Sequence, residues 1–497
     1  MRTVAVLGLA AALSCLQPAL RLAAQVTAAG LEANGQGLPS AQARARTRMR
    51  DDITALQVYR PEYPFWRHIF TVADGAVIFG SAAEGRLIAT FPVNDDWQRE
   101  GVWAVPGLAR LLDGQSLPRD LSERRDELAR LLAPEVGPVV HNLTRGLFLL
   151  PNERRYGAFL QEWGAIYERF GVPASLGLAQ ALVESGLNGS VRSEARAVGF
   201  CQWMLGNWNR LKRLSPDVIE GNNQTTQAPY CAAYLSILAT KYGSFIPALS
   251  EHHAGGTNIG RTLINGERLG GASMRDRYFL GSDFARDLRV MSPGTFRDVY
   301  GSYGPRSIRY AEMVYGNIAN IERIRTDVPQ LKIFAMRLPR AHTLAEISRR
   351  ARLSPDEVRR YNPALSRRVP ADATLYLPKH VAAFGRDVAF WHRPPSRKYA
   401  ALLDEFVQLE VSPDEWDGPA FDDVLEEFRR RFAATQTEEG LVMATTLAYA
   451  MQDRRTSGQQ EILADFRSSD DVRELFDRAR RERDAFATES ATSPLAN

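Results

Sequence analysis

The sequence has few of the residues that build metal sites or dense disulfide networks. Its 497 residues include three cysteines and seven histidines. No CxxC pair and no HExxH occur, and no cysteine and histidine have the spacing of zinc ligands. We therefore expect no metal site and no cofactor.

A strong net charge and long apolar runs are also missing. The net charge of +4 is small for this length, which argues against a dedicated nucleic-acid binder but does not oppose an acidic polymer. Beyond the N-terminus no stretch is long and apolar enough to predict a transmembrane helix. With 45% hydrophobic and 24% charged residues, the composition is that of a globular protein, and the length predicts two to four domains.

The N-terminus has the pattern of an export signal. Arg2 supplies a positive start, Val4–Leu16 is apolar but too short to span a bilayer, and Ala23-Ala24 suits a cleavage site. We predict a signal peptide over residues 1–24 and an exported protein. The alternatives are an uncleaved anchor and lipid attachment at Cys15, which the preceding Ala12-Leu13-Ser14 does not favour.

Removal of the signal would leave Cys201 and Cys231. An oxidising compartment permits a disulfide between them. Two buried free thiols are an equally acceptable interpretation at this stage.

We predict a mainly α-helical chain with four regions after the signal. Residues 25–140 form an N-terminal region with short β-strands, beginning with a mobile, arginine-rich stretch up to residue 50. Runs at Ile69–Val72, Ala76–Phe79 and Leu87–Phe91 favour strands, since turn-forming Asp-Gly and Glu-Gly pairs separate them. Residues 141–330 form a helical domain, 331–381 a small β-α-α-β module, and 382–497 a helical, charged C-terminal region.

The stretch from Pro173 to Ser185 predicts a helix that ends in a carboxylate. Pro173 suits the first turn, and Gly186 suits the C-terminal cap. Glu184 then lies at the negative end of the helix dipole, among apolar neighbours. Both effects favour the protonated acid, which is the form that a general acid needs.

Three later segments give Glu184 its context. They are Gly199 with Gln202, then Glu251-His252-His253-Ala254-Gly255, then Tyr310 after Arg306-Ser307-Ile308-Arg309. In this order, the set resembles the lytic transglycosylases of the goose-type lysozyme superfamily (SLT domain), particularly the membrane-bound type D branch. The resemblance covers roughly residues 141–325 and implies a lysozyme-like catalytic domain.

The resemblance also implies a role for each residue. Glu184 would be the single catalytic acid and base, and Tyr310 would approach its carboxyl group. Residues that would bind substrate are Ser185, Gln202, Met204, His252, His253 and Tyr310. The partner would be the glycan strands of bacterial peptidoglycan, which places the protein in the periplasm or cell envelope.

The implied reaction uses no water. Glu184 would protonate the bond between N-acetylmuramic acid and N-acetylglucosamine, and then take the proton of the muramic C6 hydroxyl as that oxygen attacks C1. The product would end in a 1,6-anhydro sugar. An ordinary glycosidase would instead need two carboxylates.

The sequence departs from the family at two points. His252-His253 stand where the family has Tyr-Asn, and Cys201 replaces a large apolar residue. Two alternatives follow. One is a muramidase that uses water, with Glu194 or another carboxylate as the base, and the other is a non-catalytic wall-binding or scaffold protein. Ser185 either contacts substrate or caps the helix end.

The 331–381 module resembles a LysM domain, a glycan-binding module of cell-wall enzymes. The matching residues include Thr343-Leu344, Tyr361-Asn362-Pro363 and Leu375–Pro378, whereas Ala341-His342 replace the family's Gly-Asp. The charged C-terminal region carries no recognisable chemistry. It either packs on the other domains or binds a partner protein of the cell envelope.

Overall fold

The computed structural model describes residues 40–94, 96–214, 222–300, 308–365 and 367–492. The protein is mainly α-helical, with 65% helix and 9% strand in small sheets, which confirms the predicted class at this level. Within the described part, no helix is both long and apolar enough to cross a membrane. The predicted signal peptide, with Cys15, lies outside the described residues.

The N-terminal region combines helices with one sheet. Its elements are α1 (Ala41–Tyr59), α2 (His68–Thr71), β1 (Ala76–Ser81), β2 (Leu87–Pro92), α3 (Trp97–Glu100), β3 (Val102–Trp103), α4 (Leu121–Val136) and β4 (Val139–Leu143), with 3-10 helices at Tyr63–Arg67 and Pro106–Leu112. The strands form an antiparallel sheet in the order β3-β2-β1-β4. Val77 lies opposite Phe91 on one side and Leu143 on the other.

Two predictions for this region are wrong. The run at Ile69–Val72 is not a strand, because a 3-10 helix leads directly into α2 and buries Ile69 and Phe70. The arginine-rich stretch is helical from Ala41 rather than mobile. Its Arg48 is buried and donates a hydrogen bond to the Val407 carbonyl at 2.8 Å, so tertiary contacts fix this segment.

Where the structure describes it, the central region is helical apart from one short hairpin. Its elements are α5 (Gly146–Tyr156), α6 (Leu160–Glu168), α7 (Ala174–Ser185), β5 (Ala197–Val198), β6 (Trp203–Met204), α8 (Leu205–Leu214), α9 (Gln224–Tyr242), α10 (Phe245–Ala254), α11 (Gly256–Arg268), α12 (Met274–Met291), α13 (Pro293–Tyr300) and α14 (Tyr310–Asp327). Helices α6 and α14 pack on α7, which is buried along most of its length.

The small module has the predicted strand-helix-helix-strand order. Its elements are β7 (Phe334–Arg337), β8 (His342–Thr343), α15 (Leu344–Ala351), α16 (Pro355–Tyr361), β9 (Arg368–Val369), β10 (Thr374–Leu377) and β11 (Arg386–Asp387). Strand β7 lies between β10 and β11 and pairs antiparallel with both. Ser354 caps α16 and Pro355 is its first residue, as the sequence predicts.

The C-terminal region is helical, as predicted. Its helices are α17 (Arg397–Val407), α18 (Pro419–Ala434), α19 (Glu438–Thr456), α20 (Gln459–Ser468) and α21 (Asp470–Thr492). Phe406, Phe428 and Phe432 contact one another between α17 and α18.

The chain folds into two compact units, each built from separate stretches. The Glu184 unit comprises the described parts of residues 50–232 and 309–394. The His253 unit comprises the described parts of residues 1–49, 233–308 and 395–497. This division cuts through the domain predicted for residues 141–330, because residues 233–308 belong with the C-terminal helices.

Candidate functional site

Glu184 lies in the last turn of helix α7, at the C-terminal end of that helix. The helix begins after Pro173, and side chains such as Leu178 and Leu182 are fully buried. Gly186 ends it in the left-handed conformation, with φ of 60°. A Cβ at Gly186 would lie 2.0 Å from the Phe148 carbonyl oxygen, so only glycine fits here. The glycine cap that the sequence predicts is therefore present, and it fixes where the helix stops.

Tyr310 contacts the Glu184 carboxylate directly. Its hydroxyl donates a hydrogen bond to Oε1 of Glu184 at 2.5 Å, while Glu184 itself is half-buried. Burial raises the pKa of Tyr310 well above its ordinary 10.0, and the negative charge of Glu184 and the hydrogen bond to it act in the same direction. Tyr310 therefore keeps its proton near neutral pH and remains a donor to the carboxylate.

Two buried polar residues beside Tyr310 are absent from the sequence prediction. Gln180 lies one turn before Glu184 on α7, and both it and Tyr167 are fully buried. Interaction with the Gln180 side chain lowers the pKa of Tyr310, against the larger effect of burial. The sequence carries one signal for this residue, since Gln180 is a polar interruption in the apolar run from Leu176 to Val183.

Ser185 connects the end of α7 to the segment that carries Gln202. The Ser185 side chain is fully buried, and its hydroxyl lies 3.0 Å from the carbonyl oxygens of both Ala181 and Phe200. Of the two roles considered for Ser185, this geometry supports the structural one. The hydroxyl joins two backbone segments beside the carboxylate.

The Gln202 side chain stabilises its own loop. Its Nε2 donates hydrogen bonds to the carbonyl oxygens of Val191 at 3.0 Å and Gly199 at 2.9 Å. Gln202 also has a positive φ of 49°. Met204, two residues later in β6, is 46% exposed and is therefore available for an apolar contact with a ligand.

A disulfide anchors the same segment. Cys201 and Cys231 are bonded, with their Cα atoms 6.3 Å apart, and both side chains are buried. The bond ties the segment around Gln202 to helix α9. The Gln227 side chain, also on α9, accepts a hydrogen bond from the Phe200 backbone N–H. Covalent and hydrogen bonds thus hold this loop on one helix.

His252 and His253 belong to the other unit, in the last turn of α10. His253 is exposed and His252 is half-buried. Glu194, which the sequence analysis considered as a second carboxylate, is exposed in the loop before β5. The structure therefore brings Glu184, Ser185, Gln202, Met204 and Tyr310 into one unit and places the histidines in another.

In the small module, His342 is buried and its ring packs edge-on against Phe384, with centroids 5.1 Å apart. His342 is thus part of the core of the small module. In comparisons with known proteins, no family model and no curated protein matches this chain.

Proposed function

We propose that this protein is a peptidoglycan lytic transglycosylase with Glu184 as its single catalytic acid and base. The observation that carries the proposal is the hydrogen bond from the buried Tyr310 hydroxyl to Oε1 of Glu184. A glutamate at a helix end is common on protein surfaces, where water surrounds it. A glutamate oriented by a tyrosine that stays protonated is typical of a site that controls a proton.

The hydrogen bond from Tyr310 to Oε1 supports the proposal because it orients the Glu184 carboxyl group. In the proposed reaction, Glu184 gives a proton to the glycosidic oxygen as the bond to C1 breaks. The muramic C6 hydroxyl attacks C1 and returns a proton to the same carboxylate. One proton leaves Glu184 and one comes back, so no water is consumed.

The exposure of Glu194 supports the use of one carboxylate. A water-using glycosidase needs a second carboxylate at a fixed separation from the first. Glu194 lies exposed on a loop, where no burial fixes its position. Intramolecular attack by the C6 hydroxyl makes such a base unnecessary.

For substrate binding, Met204 is proposed to make an apolar contact with the glycan. The backbone of the segment around Gln202 is proposed to contact the glycan as well. The disulfide between Cys201 and Cys231 would keep this segment in place. His252 and His253 are proposed to take the substrate-orienting position that Tyr-Asn has in the resembling family. The 331–381 module is proposed to be LysM-like and to raise the local concentration of glycan strands.

Two matched variants test the assignment of the carboxylate. Glu184→Gln should reduce release of soluble fragments from purified peptidoglycan by about 10²- to 10⁴-fold, the usual contribution of a general acid. Glu194→Gln should leave release within about twofold of the wild type. If Glu194→Gln is as damaging as Glu184→Gln, the two-carboxylate muramidase is the better description.

A further inference from the structure

The C-terminal helices meet the segment that carries His252 and His253 within the His253 unit. Both histidines lie in the last turn of α10, and Gly255 connects this turn to α11. Three separate contacts hold this segment, and each involves either the C-terminal region or the end of α9.

The first contact is a buried ion pair at Glu251, the residue before the histidines. Lys241 Nζ donates to Glu251 Oε2 at 2.7 Å, and the Tyr242 hydroxyl donates to the same oxygen. The side chains of Lys241 and Glu251 are 2% and 5% exposed. Lys241 Nζ also lies 5.2 Å from the ring centroid of Trp416, just before α18. Because breaking a buried pair is costly, Glu251 has little freedom to move.

The second contact is a row of aromatic rings. The His252 ring lies against Tyr234 of α9, with centroids 6.1 Å apart. Tyr234 in turn meets Tyr449 of α19 edge-on, with centroids 5.7 Å apart. Tyr449 is buried at 1% exposure. Tyr234 thus lies between a C-terminal helix and the first histidine and contacts both.

The third contact is a close approach between α11 and α20. A Cβ at Gly256 would lie 2.1 Å from the Gln459 side chain, and a Cβ at Gly260 would lie 2.4 Å from Leu463. Gln459 and Leu463 are both buried. The absence of side chains at these two glycines lets α20 pack directly on the helix that follows the histidines. The segment is therefore held at both of its ends.

We propose that the C-terminal helices α19 and α20 position the His252–His253 pair for glycan binding, with Tyr234 as the positioning residue that connects the pair to α19. This inference rests on the proposed function, because it assigns the histidine pair to substrate. The inference gives the C-terminal region the role of supporting the histidine pair. Tyr234 does not itself touch substrate in this arrangement, so its removal should weaken binding and leave the chemical step unchanged.

The test uses the full-length protein in the Glu184→Gln background, where strands are bound but not cut. Calorimetry with uncrosslinked glycan strands measures the dissociation constant. Tyr234→Ala should raise that constant about tenfold, whereas Tyr234→Phe, which keeps the ring, should change it by less than about twofold. Phe428→Ala is the matched control, because it removes a buried ring from α18 that packs on Phe406 and Phe432. Tyr234→Leu, a milder change, replaces Tyr234→Ala if the latter does not fold.

The outcomes separate the two claims. If Glu184→Gln binds strands and Tyr234→Ala weakens binding more than Phe428→Ala does, the inference holds. If Tyr234→Ala and Phe428→Ala have the same effect, the inference is overturned and the proposed function stands. If Glu184→Gln binds no strands and the wild type releases no fragments, the proposed function fails and the inference with it. In the active background, Tyr234→Ala should raise KM with kcat unchanged, and a fall in kcat alone would also overturn the inference.

Discussion

The hydroxyl of Tyr310 lies 2.5 Å from Oε1 of Glu184, joining the first residue of α14 to the end of α7. Some 126 residues separate the two in the sequence. A hydrogen bond to a charged acceptor is shorter and stronger than one between neutral groups. The contact therefore orients the Glu184 carboxyl group through Oε1.

Tyr310→Phe should lower kcat on peptidoglycan by about ten- to a hundredfold. In the proposed reaction Glu184 becomes negatively charged as it gives up its proton, and a hydrogen bond to a charged group contributes about 1.5–3 kcal/mol. The ring remains, so the packing of α14 on α7 should persist. Circular dichroism and kcat measured on the same preparation check this. Full activity in a folded Tyr310→Phe variant would show that the hydrogen bond has no part in catalysis.

Glu162 connects α6 to the segments on either side of the small module. This carboxylate is buried and accepts hydrogen bonds from the Ile333 N–H and the Trp391 indole, both at 3.2 Å, and from Lys332 at 3.1 Å. Glu162→Ala should lower the free energy of unfolding by about 3 kcal/mol, because buried donors lose their acceptor. Urea unfolding measures the change.

Glu168 is the matched control for that change, since it lies on the same helix but is exposed. Glu168→Ala should alter the free energy of unfolding by less than about 0.5 kcal/mol. Equal effects of the two substitutions would mean that the Glu162 network adds no stability.

The disulfide should contribute to stability through the unfolded chain. The bonded cysteines are 30 residues apart, and closing a loop of this size is worth about 3–4 kcal/mol in the chain-entropy description. Dithiothreitol should therefore lower the urea midpoint of the wild type to that of the Cys201→Ala/Cys231→Ala double variant. The double variant itself should not respond. A wild-type midpoint that reductant leaves unchanged would argue for two free thiols.

Lys241 should make stability depend on alkaline pH. Burial lowers the pKa of Lys241 from 10.5 to about 8, although the charge of Glu251 opposes this effect. Between pH 8 and 10.5 the unfolded chain therefore binds more protons at this residue than the folded chain does. The free energy of unfolding should therefore rise as the pH increases across this window. The stability that Lys241 adds in this way is lost again as the pH falls through about 8.

Urea unfolding at pH 7.5 to 10 checks the rise, and Lys241→Met should remove it. Lys398→Met is the control, because Lys398 is exposed on α17 and should leave the rise in place. The series stops at pH 10 so that Tyr242 does not affect the result. Burial raises the pKa of Tyr242 well above 10.0, so the stability that this residue contributes falls only at higher pH. A wild-type curve that is flat between pH 8 and 10 would contradict the account.

Local patterns in the sequence predicted the local structure well. The Gly186 cap, the Ser354-Pro355 helix start and the strands at Ala76 and Leu87 depend on residues close together in the chain, and all are present. The strand predicted at Ile69–Val72 is wrong because strand propensity is a weak preference that packing overrides. Here the burial of Ile69 and Phe70 in a helical turn decides the structure.

Tertiary relationships in the site were harder to predict. The place of Tyr310 near Glu184 was expected only from the family resemblance, since nothing in the spacing requires it. Gln180 and Glu162 were missed because a single polar residue in an apolar helix gives no indication of its partner. The attachment of residues 233–308 to the C-terminal helices depends on contacts such as Gly256 with Gln459, which no local pattern encodes.

The chemistry of the product ends tests the central claim most directly. Purified peptidoglycan is digested with the wild type and with Glu184→Gln, and the soluble fragments are analysed by mass spectrometry. We predict 1,6-anhydro-N-acetylmuramic acid ends, which are one water molecule lighter than reducing ends, from the wild type and none from Glu184→Gln. Reducing ends, or anhydro ends in equal amount from both proteins, would contradict the assignment of Glu184 as the single catalytic acid and base.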